Sequence, residues 1–344
     1  MAFAAGRSAQ SQVRSEPRPA VSLEALRAAA QGLHGVAVRT PLVSLPALSQ
    51  IAGVPVVVKC EHLQPIGAFK IRGAYTAVSR IPAAARARGV ITYSSGNHGQ
   101  AVAFAAQRLG IRAVVVMPER APAIKVEGVR RLGGEVVIAG NSSAVRYERA
   151  RQLSEEQGLT MVPPFESLDV IAGQGTCGVE IIEDYPEVET ILVPVGGGGL
   201  IAGIASAVAA LKPGVRVVGV EPEGAAKLAR ALEAGRPVKL EHTESVADGL
   251  LPLAVGEIPF GVISGRVRES VQVNEDEIVA GLRFLHQYGV PAEPSGAVTT
   301  AALLSRRVTP GGPTVAIVSG GNVDPTLIQR LVGADPATRA SPAE

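Results

Sequence analysis

Residues 190–211 read TILVPVGGGGLIAGIASAVAAL, and how this stretch divides decides the fold. From Ile191 to Leu211 there is no charged residue, and a run of that length could span a bilayer as one helix. Pro194 and the four glycines 196–199 argue against it, because so many helix breakers would leave backbone groups unpaired in hydrocarbon. The better division is a strand over Thr190–Val195, a glycine turn, and then a helix. Four successive residues without Cβ let backbone N–H groups converge on an anion, and the helix N-terminus adds the positive end of its dipole. A phosphate suits such a turn. No Lys-Ser/Thr pair follows the glycines, so this is not a P-loop. Gly197-x-Gly199, with Glu221 ending the next strand, also fits a dinucleotide fold, and on these residues alone both readings stay open.

The same alternation extends outward. Further short β-branched runs lie at Val56–Lys59, Val90–Tyr93, Ala113–Met117, Glu135–Ile138, Thr160–Val162, Arg216–Val220, Ser270–Val273 and Thr314–Val318. Between them lie Ala/Leu-rich stretches such as Ala101–Leu109, Ala123–Leu132 and Ser143–Gln157, each followed by a glycine suited to a left-handed cap. This is the pattern of an α/β protein with parallel sheets covered on both faces. So many strands imply two doubly wound domains. We expect a small domain over 81–165 inserted in a large one formed by 21–80 and 166–332, with residues 1–20 a disordered leader and 333–344 a tail.

Composition excludes several function classes. The 344 residues include 39 Gly, no Trp and 3% aromatics, and 33 Lys+Arg nearly balance 31 Asp+Glu. Nucleic-acid binders need aromatic platforms or a basic stripe, so no such partner is expected. Cys60 and Cys177 are the only cysteines, too few for a disulfide framework, and fit buried thiols in a reducing cytoplasm. No secretory signal opens the chain.

Two more segments carry chemistry. Ser94-Ser95-Gly96-Asn97-His98-Gly99-Gln100 follows one strand and opens a helix, a second anion nest with hydroxyl and amide side chains around it. Such a loop exceeds what an ordinary N-cap needs, although His98 alone reads equally well as a structural histidine at a helix start. In Gln64-Pro65-Ile66-Gly67-Ala68-Phe69-Lys70-Ile71-Arg72-Gly73-Ala74-Tyr75, Lys70 stands among apolar neighbours. Such surroundings lower an ammonium pKa and free the amine to form a Schiff base.

Together these segments resemble the pyridoxal-phosphate enzymes of fold type II (tryptophan synthase beta-like), specifically the threonine/serine dehydratase and serine racemase family. The resemblance runs from Leu26 to Ile328 and includes Asp169 to Thr176, Ala247-Asp248-Gly249, Glu293-Pro294 and Ser319-Gly320-Gly321-Asn322. It implies pyridoxal 5'-phosphate held by Lys70, which also removes the Cα proton. It further implies Phe69 against the pyridine ring, Asn97 on the ring hydroxyl, and the phosphate on Gly196, Gly197, Gly198, Gly199 and Leu200. Ser319 would face the ring nitrogen, Ser94, Gly96 and His98 would hold the substrate carboxylate, and Ser95 would act on the face opposite the lysine.

The activity implied is β-elimination from a 3-hydroxy amino acid, giving 2-oxobutanoate from L-threonine or pyruvate from L-serine, with ammonium. Serine racemase and 3-hydroxyaspartate dehydratase are the alternatives within the family; a β-replacement enzyme is the rival within the fold. The resemblance also implies a homodimer or homotetramer, and it places no C-terminal regulatory domain in the residues that follow Val332.

Two positions depart from the pattern. Ala68 stands where many relatives carry Ser or Thr. Part of the family binds a divalent cation through a Glu, a carbonyl four residues on and an acid two residues later; Glu221 and Ala225 match, but Lys227 replaces the acid. Losing an oxygen ligand and gaining a positive charge disfavours a hard cation, so no magnesium or calcium requirement is expected.

Overall fold

The computed structural model describes residues 21–94, 96–121 and 123–333. Its elements run α1 (Leu23–Gly32), β1 (Leu42–Ser44), α2 (Pro46–Ala52), β2 (Val56–Cys60), α3 (Lys70–Arg80), α4 (Ala83–Arg86) and β3 (Val90–Tyr93). Next come α5 (Asn97–Leu109), β4 (Ala113–Met117), α6 (Ala123–Arg131), β5 (Glu135–Ile138), α7 (Ser143–Gln157), β6 (Thr160–Met161) and α8 (Leu168–Asp184). The chain continues through β7 (Thr190–Pro194), α9 (Gly199–Leu211), β8 (Arg216–Pro222), α10 (Lys227–Ala234), α11 (Glu257–Ile263) and β9 (Glu269–Val273). It closes with α12 (Glu275–Gln287), α13 (Pro294–Leu304), β10 (Thr314–Val318) and α14 (Pro325–Val332).

Two sheets form. Six strands lie in the order β1-β2-β10-β7-β8-β9, and four in the order β5-β4-β3-β6. All neighbours are parallel except β1, which pairs antiparallel with β2 from Leu42↔Lys59 to Ser44↔Val57. Every residue of β7 and β10 is buried, as central strands covered by helices on both faces must be. The uncharged stretch at 191–211 divides as its glycines require, into β7, a turn and α9. No helix among the described residues is long and apolar enough to cross a membrane.

Helix α3 joins the two halves. Ile71, Ala74 and Val78 pack in one cluster with Val90, Ala101, Val102 and Ala113 beside the four-stranded sheet, so a helix that precedes residue 81 contributes to that sheet's core. From its buried face Arg72 reaches the other way, pairing with Glu61 (Nε–Oε2 2.8 Å) and Glu180 (Nη1–Oε1 2.7 Å). Lys59 completes the group, 2.7 Å from Glu180 and from the Thr40 carbonyl. Cys60 and Cys177 are free and buried, and burial pushes the thiol of Cys60 up to about 11.

Candidate active site

The chemistry-bearing segments converge because each follows the C-terminal end of a parallel strand, where open α/β sheets gather ligands. Residues 196–199 follow β7, 319–322 follow β10, 94–96 follow β3, and 162–166 follow β6.

Lys70 opens α3 and is half-buried. Its Nζ donates to the Pro164 carbonyl at 3.0 Å and lies 5.2 Å from the centre of the Phe69 ring. With no carboxylate to hold the charge, burial pushes the amine down to about 8. The segment before it is fixed by backbone: Phe69 N–H donates to Ser319 O at 3.0 Å, Gly321 N–H to Gly67 O at 2.9 Å, and Ala68 bridges Gly320. Ser319, 4% exposed, is thereby placed beside the lysine segment.

The glycine turn forms a cradle. Gly198 has φ +92°, a conformation that glycine adopts without strain, and from Gly199 the backbone enters α9 with its first N–H groups lacking intrahelical partners. A Cβ at Gly197 would collide with the ring of Phe165. Phe165 is held in turn by its neighbour Glu166, whose Oε2 accepts from Ile258 N–H at 3.1 Å.

Asn97, the first residue of α5, stands in a chain of side-chain amides. Its Nδ2 donates to Glu293 Oε1 at 2.7 Å, and Asn322 Nδ2 donates to Asn97 Oδ1 at 2.9 Å and to Ile66 O at 2.7 Å. Burial raises the Glu293 carboxyl to about 8, helped by nearby Asp248 and opposed by Lys125 and the Asn97 hydrogen bond. His98 is buried, with Nε2 3.1 Å from Val162 O and Nδ1 unpartnered. Burial, then the neighbouring Lys70 charge, pushes its ring down to about 3, so it is neutral. Its ring is thus committed to Val162, and the loop's anion-binding capacity lies in backbone N–H groups at the helix start. Ser94 Oγ accepts from Gly96 N–H at 3.2 Å, shaping that loop. Ser95 lies outside the described residues.

Lys125 of α6 pairs with Asp248 across the rims of the two sheets. Lys227 is fully buried against Glu221 and the Ala225 carbonyl. Sequence reasoning gave no role to Pro164, Phe165, Lys125, Glu293 or Asn322. The last two stand in the motifs Glu293-Pro294 and Ser319 to Asn322, which were a usable signal; Phe165 was marked only by the Pro-Pro before it.

The donor set fits pyridoxal phosphate: an amine of lowered pKa, a glycine turn opening onto helix N–H groups that lack intrahelical partners, and a buried His98 nitrogen without a partner. The fold and site are those of an α/β enzyme that works with a phosphorylated aldehyde cofactor. The pyridoxal-phosphate dependent enzyme family model matches residues 34–320, and the chain belongs to that family. It is 41% identical over 313 residues to the L-threonine ammonia-lyase of Thermotoga maritima, covering 91% of this chain and 78% of the relative. Among solved structures, maize serine racemase superposes with a TM-score of 0.87 at 36% identity, over 91% of this chain and 97% of that one. The threonine deaminase of T.th. gives 0.84 at 40% identity, over 88% and 99%. These likenesses agree with the fold type II resemblance read from the sequence.

Proposed function

We propose that this protein is a pyridoxal-phosphate dehydratase (ammonia-lyase) acting on 3-hydroxy amino acids, converting L-threonine to 2-oxobutanoate and L-serine to pyruvate, with release of ammonium. The observation that carries the reading is the Lys70 amine, which donates to the Pro164 carbonyl at 3.0 Å and which burial brings to about 8. Likeness to a threonine ammonia-lyase and a threonine deaminase supports it.

When bound, pyridoxal phosphate supplies the electron sink that makes an amino acid's Cα–H acidic. Lys70 would hold the cofactor and would take the substrate's Cα proton on Nζ; a pKa near the operating pH suits both duties. Backbone N–H groups of Gly196 to Leu200 bind the phosphate. Asn97 Nδ2 already donates to Glu293, so its amide is oriented before the cofactor's ring hydroxyl arrives. Phe69 would pack on the ring, and the Ser319 hydroxyl would stand as donor to the ring nitrogen. Ser94, Gly96 and His98 bind the substrate carboxylate, the neutral His98 through its backbone. Phe69 and the Pro164 carbonyl stand beside the lysine amine.

Serine racemisation is the second reading, favoured by the likeness to maize serine racemase; Ser95 would serve the opposite face in either reading. The family also supports a cytoplasmic homodimer or homotetramer.

The test is a panel of L-threonine, L-serine and 3-hydroxyaspartate assayed for 2-oxo acid and for D-isomer, with wild type and Lys70→Ala. Wild type should show an absorbance band near ~410–420 nm that borohydride removes and should release 2-oxobutanoate; Lys70→Ala should show neither. No 2-oxo acid from any of the three substrates would sink the dehydratase reading.

A further inference from the structure

Lys227 is wholly buried, and its hydrogen-bond partners lie outside the α3 and α5 segments. Its Nζ is surrounded by oxygen alone: Ala225 O at 2.8 Å, Val195 O at 3.0 Å, Leu250 O at 3.0 Å and Glu221 Oε1 at 3.2 Å. Four acceptors and no donor suit an ammonium. A neutral amine would turn its lone pair on one of those oxygens and would leave the Glu221 carboxylate buried without a cation. Glu221 is itself held in place, accepting from Leu228 N–H, Ala229 N–H and Ser270 Oγ at 2.8 to 3.0 Å.

The acceptors belong to separate pieces of the site. Val195 immediately precedes the glycine cradle. Leu250 closes the Asp248–Leu250 turn, whose Gly249 carbonyl faces Gly196 and whose Asp248 pairs with Lys125 of α6. One charge therefore fastens the backbone entering the phosphate cradle to the turn that meets the opposite rim.

We propose that the Lys227 ammonium is a tethered cation that positions the phosphate cradle, so that cofactor retention is independent of dissolved metal or monovalent ions. Lys227 is a positioning residue, since it acts through Val195 and Leu250. The inference rests on the cofactor reading above but not on the substrate.

Two variants and the wild type test it. Lys227→Met keeps the length of the side chain without the charge and should bind pyridoxal phosphate about tenfold or more weakly by fluorescence titration. Lys227→Ala leaves room for a small ion. Its melting temperature without cofactor should rise saturably with ammonium or potassium chloride and not with choline chloride, while wild type responds equally to all three. This melting readout needs neither cofactor nor activity, so it separates failure of the tethered cation from failure of the dehydratase reading. Wild-type affinity in Lys227→Met, or no specific ion response in Lys227→Ala, overturns the proposal. Should both variants fail to fold, the wild-type holoenzyme decides: unchanged cofactor affinity after chelation and dialysis into choline chloride supports it, and loss restored by magnesium or potassium overturns it.

Discussion

Asn97 Nδ2 donates to Glu293 Oε1 at 2.7 Å, joining the loop after β3 to the start of α13 across 196 positions of sequence. The carboxyl titrates near 8 because burial disfavours its charge. Between the ordinary carboxyl value near 4.5 and 8, the folded protein therefore binds a proton that the unfolded chain does not. The raised folded-state pKa contributes stability that is present at low pH and lost as pH rises to about 8. Glu293→Gln, which retains the acceptor for Asn97, should remove this slope, at most about 1.4 kcal/mol per pH unit. Urea denaturation of the cofactor-free protein from pH 5 to 9 checks it; a variant with the wild-type slope contradicts the assignment.

Lys70 titrates in the other direction. Its folded-state value near 8 lies below that of an exposed lysine, so the neutral amine that attacks an aldehyde accumulates as pH rises toward 8. The rate at which cofactor-free protein captures pyridoxal phosphate should climb about tenfold per pH unit below that point and level off above it. Stopped-flow absorbance gives the profile. A climb continuing unchanged to pH 10 would mean that burial does not set this amine.

How far the site was legible in the sequence depended on chain distance. The strand at Ala113–Met117 and the glycine turn at 196–199 were readable because their signals are local: a β-branched run, and residues without Cβ before an apolar helix. Strand β1, three residues with two exposed, has too little pattern to read and is stabilised by pairing with β2. The Asn97–Glu293–Asn322 amide chain joins three segments that no periodicity relates, and Phe165 acquires its place only when β6 delivers it onto Gly197. Lys227 was legible as a departure from a pattern, whereas the carbonyls around it belong to residues 195 and 250 and required the fold.

On the buried face of the helix that carries Lys70, Arg72 lies between Glu61 and Glu180. Removing it strands the buried Glu61 carboxylate, which the guanidinium now holds below the usual carboxylate range against the cost of burial. Breaking a buried pair from one side costs about 3–5 kcal/mol, so Arg72→Ala should lower stability by about that amount and loosen the start of α3. Arg72→Lys should recover only part, because one ammonium cannot make the paired contacts to both carboxylates. Equilibrium unfolding measures both; a loss below about 1 kcal/mol for Arg72→Ala would show that the network is dispensable.

The contact between Gly197 and Phe165 permits a two-sided experiment. Gly197→Ala would drive a methyl group into the phenyl ring, and overpacking of this kind costs about 1–3 kcal/mol. With Gly197 in the proposed phosphate cradle, the strain should appear as weakened cofactor binding as well as a lower melting temperature. Phe165→Ala removes the obstacle. If the clash is the cause, adding Phe165→Ala to Gly197→Ala should restore cofactor affinity toward that of Phe165→Ala alone, a favourable coupling in a double-mutant cycle. Strictly additive losses would instead locate the damage in the backbone conformation of residue 197, independent of the ring.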